Sequence, residues 1–185
     1  MTERGLYAHA CDTLGPLTVS SGLRASAART PGKVALECAG VSLTYRELVG
    51  RVDRVVDWVR ELGVSRGDRV AVIAPNCLPY IELVAGIADT GAAAVTVNYR
   101  LGPGEIRGIL RDCDARIAFV HPTLEEAVRK AVEGEPGIRL AHCVSLDSRY
   151  ESRVSVPGAN PGELNGDEWL PFSVPYTSGT TGAPK

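Results

Sequence analysis

The sequence predicts an α/β fold, a mainly parallel sheet with flanking helices, and three observations carry that expectation. Short β-branched runs alternate with segments whose apolar residues recur at helical spacing. Runs such as Val70-Ala71-Val72-Ile73 and Ile117-Ala118-Phe119-Val120 are apolar throughout rather than alternating, as strands covered on both faces should be. The connections between them are long enough for right-handed crossovers.

Residues 1–19 show no clear period and read as an N-terminal arm, with 20–185 as the folded unit. A short helix is expected from Ser20 to Arg29, stopped by Pro31-Gly32. Val34–Cys38 and Val41–Leu43 flank Ala39-Gly40 as a hairpin would. Thr44 and Glu47 have capping-box spacing, and Leu48, Val52, Val55, Val59 and Leu62 then recur on one helical face until Gly63. Strand and helix alternate from there: Arg69–Ala74, helix Leu78–Thr90, strand Ala93–Asn98, helix Gly104–Asp112 and strand Arg116–Val120. A helix from Thr123 to Val132 is entered through Pro122, followed by a weaker strand from Leu140 to Leu146. Residues 148–168, rich in Gly, Pro, Asn and acids, read as a surface loop, and Leu170–Tyr176 as a final strand.

A hydrophobic content of 44%, mean hydropathy near zero and a net charge of −2 fit a globular protein acting on small molecules. No dense Lys/Arg run marks a nucleic-acid surface, and no uncharged apolar stretch approaches the ~20 residues of a membrane span. Cys11, Cys38, Cys77, Cys113 and Cys143 are widely spaced without a C-x-x-C pair, and with His9, His121 and His142 they suggest neither a metal site nor a disulfide framework. The thiols are therefore expected to be free and buried, the compartment cytoplasmic, and His121 and His142 structural.

The chain closes with Tyr176-Thr177-Ser178-Gly179-Thr180-Thr181-Gly182-Ala183-Pro184-Lys185. Gly179 and Gly182 admit backbone conformations that turn successive N–H groups inward around an anion, while Thr177, Ser178, Thr180, Thr181 and Lys185 add hydroxyls and charge. These residues read as a phosphate cradle. The spacing is not that of Walker A, because the two glycines are three apart and Lys185 neither follows a glycine nor precedes a Ser or Thr.

This decapeptide resembles the signature loop of the adenylate-forming, AMP-binding ligases, which include acyl-CoA synthetases, nonribosomal peptide adenylation domains and luciferases. Leu43-Thr44-Tyr45-Arg46-Glu47-Leu48 is similar to an early element of that family, and Gly91–Val95 through Asn98-Tyr99-Arg100-Leu101, with Glu105, to its next block. Each of these two also has a sufficient structural reading, as a capped helix and as a strand with its turn. Thr96-Val97-Asn98 followed by Tyr99-Arg100 looks more like acyl-CoA synthetases than peptide-synthetase domains, which usually carry Pro-x-Asp there.

The resemblance implies that residues 20–185 are an incomplete N-terminal part of the large domain, with the loop Thr177, Ser178, Gly179, Thr180, Thr181, Gly182 and Lys185 on ATP. It further implies Mg2+, a carboxylic acid of the kind met in fatty acid metabolism, and coenzyme A as thiol in a longer parent. The family's remaining catalytic elements follow this loop, so the 185 residues alone are expected not to catalyse adenylation, and to self-associate through exposed core. A noncatalytic α/β binding module, a decayed gene product, a nucleotide-binding regulator and part of a peptide-synthetase adenylation domain remain alternatives.

Overall fold

The computed structural model describes residues 18–159, 161–167 and 169–176. The first helix among the described residues, α1 (Val19–Arg29), is capped by Thr18. Strands β1 (Val34–Cys38) and β2 (Val41–Thr44) form the expected antiparallel hairpin. Ala39 and Gly40 both take positive φ, 50° and 81°, which suits the right-handed twist of a two-residue turn.

Thr44 then caps α2 (Tyr45–Glu61) reciprocally: its N–H donates to Glu47 Oε2 at 2.7 Å and its hydroxyl accepts from the Glu47 N–H at 3.3 Å. Beyond α2 the chain alternates as β3 (Arg69–Ile73), α3 (Leu78–Asp89), β4 (Ala93–Val97), α4 (Pro103–Cys113), β5 (Ile117–Val120), α5 (Glu125–Val132) and β6 (His142–Ser145). A single 3-10 turn, Pro122–Leu124, opens α5 where one continuous helix was expected.

The four strands β3 to β6 are all parallel, in the spatial order β4-β3-β5-β6. The chain thus runs outward from β3 to β4, returns past β3 to β5, and continues to β6. That reversal puts α3 on one face and α4 on the other, the doubly wound arrangement. Alternate strand residues divide between the faces. Val70, Val72, Ile117 and Phe119 pack under α2 and α3, while Ala71, Ile73, Ala118 and Val120 pack under α4 and α5. Both faces of the central strands are therefore covered. α3 approaches α2 tightly at Gly86, where a Cβ would lie 2.5 Å from Val55 Cγ1. No helix among the described residues is long and apolar enough to cross a membrane.

Three expectations are corrected. Residues 148–168 are not all loop, because α6 (Ser148–Val154) occupies the first third, with Asp147 accepting from the Arg149 N–H at 2.8 Å. Only Tyr150 and Val154 face inward, at 1% exposure each, and two apolar residues four apart are too few to show a period. Leu170–Tyr176 makes one parallel bridge, Ser173 to Ala94, instead of a strand. Pro171 and Pro175 bracket that bridge and, lacking N–H donors, cannot extend a ladder. Finally, Cys113 alone of the described cysteines is buried; Cys38 and Cys77 are half-buried and Cys143 is exposed on β6, the outer strand of its sheet.

Candidate functional site

In a doubly wound sheet, ligands meet the loops at the carboxyl ends of the strands. Here the connection after β5 is tied to β3 by the His121 N–H, which donates to the Ile73 carbonyl at 2.9 Å. The His121 ring is occupied locally: its Nδ1 lies 2.8 Å from Thr123 Oγ1 and accepts from the Thr123 N–H at 3.4 Å. It opens the 3-10 turn, the structural role expected of it. After β4, Asn98 Oδ1 accepts from the Arg100 N–H at 3.0 Å, and the Arg100 guanidinium stacks over Tyr99, 5.4 Å from its centroid. Glu105 reaches back to the Gly102 N–H at 2.9 Å at the start of α4. The block around Asn98 and Glu105 is thus a built turn and helix entrance.

Beside β4 runs the segment that leads to the glycine-rich loop. The Ala94 N–H donates to the Phe172 carbonyl and the Val174 N–H to the Ala94 carbonyl, both at 2.9 Å. Val174 and Tyr176 pack against the α4 side of the core, and the Tyr176 hydroxyl donates to the Asp112 carboxylate near the end of α4. Partial burial, then that carboxylate, raise the Tyr176 phenol well above its ordinary range, so it remains a neutral donor. Thr177, Ser178, Gly179, Thr180, Thr181, Gly182 and Lys185 lie outside the described residues. Among described residues, Tyr176 is the base from which they depart.

Two charged constellations were missed from sequence. In the first, Arg51 Nε and Nη2 donate to the two oxygens of Glu82 at 2.6 and 3.2 Å, and Nη1 and Nη2 to Glu151 at 2.6 and 2.8 Å. Tyr150 adds a donor to Glu82 at 2.9 Å. Glu82 is fully buried, so α2, α3 and α6 meet around a satisfied ionic centre. The available signal was a lone Glu in the otherwise apolar face of the third helix. In the second, Arg24 joins Asp53 at 2.7 Å and Asp89 at 2.8 Å, with the Ser20 hydroxyl donating to Asp89. Burial, then the Arg24 partner acting oppositely, leave Asp53 above its ordinary value.

Tyr150 carries a pH prediction. Burial, followed by the negative charge of Glu82, pushes its phenol well above 10 in the fold. An acid whose folded pKa exceeds its unfolded value stabilises the fold below the unfolded value, and that contribution drains away as pH rises. Stability should therefore fall from about pH 10 upward, by up to ~1.4 kcal/mol per pH unit from this group. In Tyr150→Phe this component should vanish; an alkaline limb of the urea-midpoint profile identical to wild type would refute the assignment.

A cavity of about 900 Å3 lies at the β6 edge, walled by Trp58, Cys143, Val144 and Tyr150. Its arginines are already matched, Arg129 to Glu126, Arg149 to Asp147 and Arg153 to Glu61, so it presents little net field for an anion. No group of three or more potential metal ligands occurs among the described residues.

Residues 23–185 match the family model described as AMP-binding enzyme. A long-chain-fatty-acid–CoA ligase of Mycobacterium tuberculosis, FadD13, is 33% identical over 149 residues, which cover 78% of this chain and 29% of that protein. A fatty acid–[acyl-carrier-protein] ligase of Streptomyces coeruleorubidus, ScoC, is 32% identical over 155 residues, 84% of this chain and 29% of that protein. The inhibitor-bound N-terminal domain of FACL13 from Mycobacterium tuberculosis superposes with a TM-score of 0.81 at 28% identity, covering 91% of this chain and 43% of that one. The chain spans about three tenths of the length of these curated relatives.

Proposed function

The chain belongs to the AMP-binding enzyme family, and on that premise we propose that it is the N-terminal portion of an ATP-dependent acid–thiol ligase. Such an enzyme activates a carboxylate as an acyl-adenylate and passes it to a thiol such as coenzyme A. The carrying observation is the decapeptide Tyr176–Lys185, following directly on the segment bridged to β4. Fatty acid–CoA and fatty acid–carrier-protein ligases among the relatives support a carboxylic acid substrate. Cytoplasmic residence is part of the same proposal.

The donor set suits the nucleotide's oligophosphate. Attack of a carboxylate on the α-phosphorus of ATP brings two anions together and builds charge on the departing pyrophosphate. Thr177, Ser178, Thr180 and Thr181 would donate hydroxyl hydrogen bonds to its oxygens, Gly179 and Gly182 would offer backbone N–H groups, and Lys185 a compensating charge. The loop contains no carboxylate, so it would leave Mg2+ to ligands elsewhere while the metal neutralises phosphate charge. Pro184 would narrow the approach of Lys185. Because relatives are more than three times as long as the matched span, adenylation is assigned to the longer polypeptide, not to these 185 residues alone.

Replacing Thr180, Thr181 and Lys185 by alanine in a polypeptide of the relatives' length should lower ATP–pyrophosphate exchange about 100-fold or more, since single preorganised donors of this kind are worth that much elsewhere. Exchange at the unsubstituted rate would refute the phosphate role.

A further inference from the structure

Between β6 and the bridge at Ser173 the chain must pass from one edge of the sheet to the other, and it does so outside α2. Arginines mark the route. Arg51 Nη1 donates to Ser155 Oγ at 2.9 Å, and Arg54 donates to the carbonyls of Val156 and Pro157 at 2.8 and 2.6 Å. Arg60 donates to the carbonyls of Pro161 and Glu163. Arg66 follows, donating to the Asn165 carbonyl at 3.2 Å and pairing with Asp167 at 2.5 Å. The order of donors along the chain, 51, 54, 60, 66, matches the order of acceptors, 155 to 167.

An independent feature lies at the far end. The Asn165 N–H donates to the Asp89 carbonyl at 2.8 Å, and the Asn165 carbonyl sits so close to Gly91 that a Cβ there would lie 2.7 Å from it. Gly91 also holds φ at +80°, which side chains rarely adopt. A bare backbone notch thus receives the strap just before the chain turns to Phe172.

We propose that Arg54, Arg60, Arg66 and Gly91 are positioning residues: they fix the path of residues 155–159 and 161–167, and thereby the point at which the glycine-rich loop leaves the sheet. A segment with one bridge to β4 and prolines on either side has little register of its own. Apart from Ser155 and Asp167 the acceptors are backbone carbonyls, which need no sequence pattern, whereas the fork of a guanidinium is needed opposite them. The link to phosphate binding rests on the reading under Proposed function; the seat itself does not.

The experiment is amide hydrogen exchange on the 185-residue chain, read at Ala94 and Val174, whose N–H groups make the bridge, and at Val72 and Ala118 inside the sheet. Arg60→Ala with Arg66→Ala, and separately Gly91→Ala, should each speed exchange at Ala94 and Val174 about 10-fold or more, with Val72 and Ala118 unchanged. Unchanged rates at Ala94 and Val174, or equal acceleration at all four amides, would overturn the proposal. Should the double variant fail to fold, Arg66→Ala alone, at a 52% exposed side chain, supplies the same comparison. Titration of wild type with Mg-pyrophosphate tests the phosphate reading separately, because the exchange comparison involves no nucleotide.

Discussion

Arg51→Ala is expected to destabilise the chain by about 3–5 kcal/mol in urea unfolding, with little change in the slope of free energy on denaturant. The size follows from what remains after the guanidinium is removed. Glu82 is wholly buried and holds two of its bonds from Arg51, so its carboxylate would be left with the Tyr150 hydroxyl as its one remaining donor among the described contacts. A buried charge without its partner loses hydration without compensation. The Glu151 half of the bridge adds much less, because that side chain is 56% exposed and water can replace the arginine. A control separates the cost of breaking the pair from the worth of the pair. Arg51→Met with Glu82→Leu and Tyr150→Phe removes every member that would otherwise be stranded, and should recover most of the loss. An Arg51→Ala midpoint within about 1 kcal/mol of wild type would mean that the ionic centre is not closed as described.

The same centre shows where sequence reading stops. The alternation of strands and helices was legible because β-branched runs and the Leu48–Val52–Val55–Val59 stripe each carry their own period. The Thr44–Glu47 cap was legible because it spans three residues of sequence. Glu82 and Glu151 lie 31 and 100 residues from Arg51 along the chain, and beyond the lone acid in an apolar helix face nothing local links the three to one another. The helix α6 was hidden for a related reason. Its stability comes from Tyr150 against Trp58 and from Glu151 on Arg51, partners supplied by α2, while its own seven residues read as a polar loop.

The candidate site divides similarly. The phosphate role proposed for Thr177–Lys185 rests on consecutive residue types, and the roles of Asn98, Glu105 and His121 as turn and cap builders are what short-range spacing would suggest. The strap was not readable. Backbone carbonyls carry no sequence signature, so nothing in the sequence pairs Arg54, Arg60 and Arg66 with their acceptors. From sequence Gly91 reads only as part of the Gly91–Val95 block, and it is the nearness of the Asn165 carbonyl that shows why a side chain does not fit there.

Phe119→Ala should cost about 3–5 kcal/mol, comparable to loss of Arg51 but through packing alone. Phe119 lies at the middle of β5, opposite Val72 on β3 and Val144 on β6, and is fully buried. Its ring meets Trp58 of α2 edge-on, with centroids 5.5 Å apart, and Trp58 in turn leans on Tyr150 of α6 at 5.8 Å. Deleting the ring therefore opens a void where sheet, α2 and α6 meet, and β-sheet backbone on both sides restrains collapse into it. Phe119→Leu, which keeps most of the volume, should cost less than half as much. Trp58 gives a local check, since its emission should shift when its edge partner is lost even in buffer that leaves the variant folded. A Phe119→Ala variant with wild-type midpoint and unshifted Trp58 emission would show that α2 is not seated on β5 through this ring.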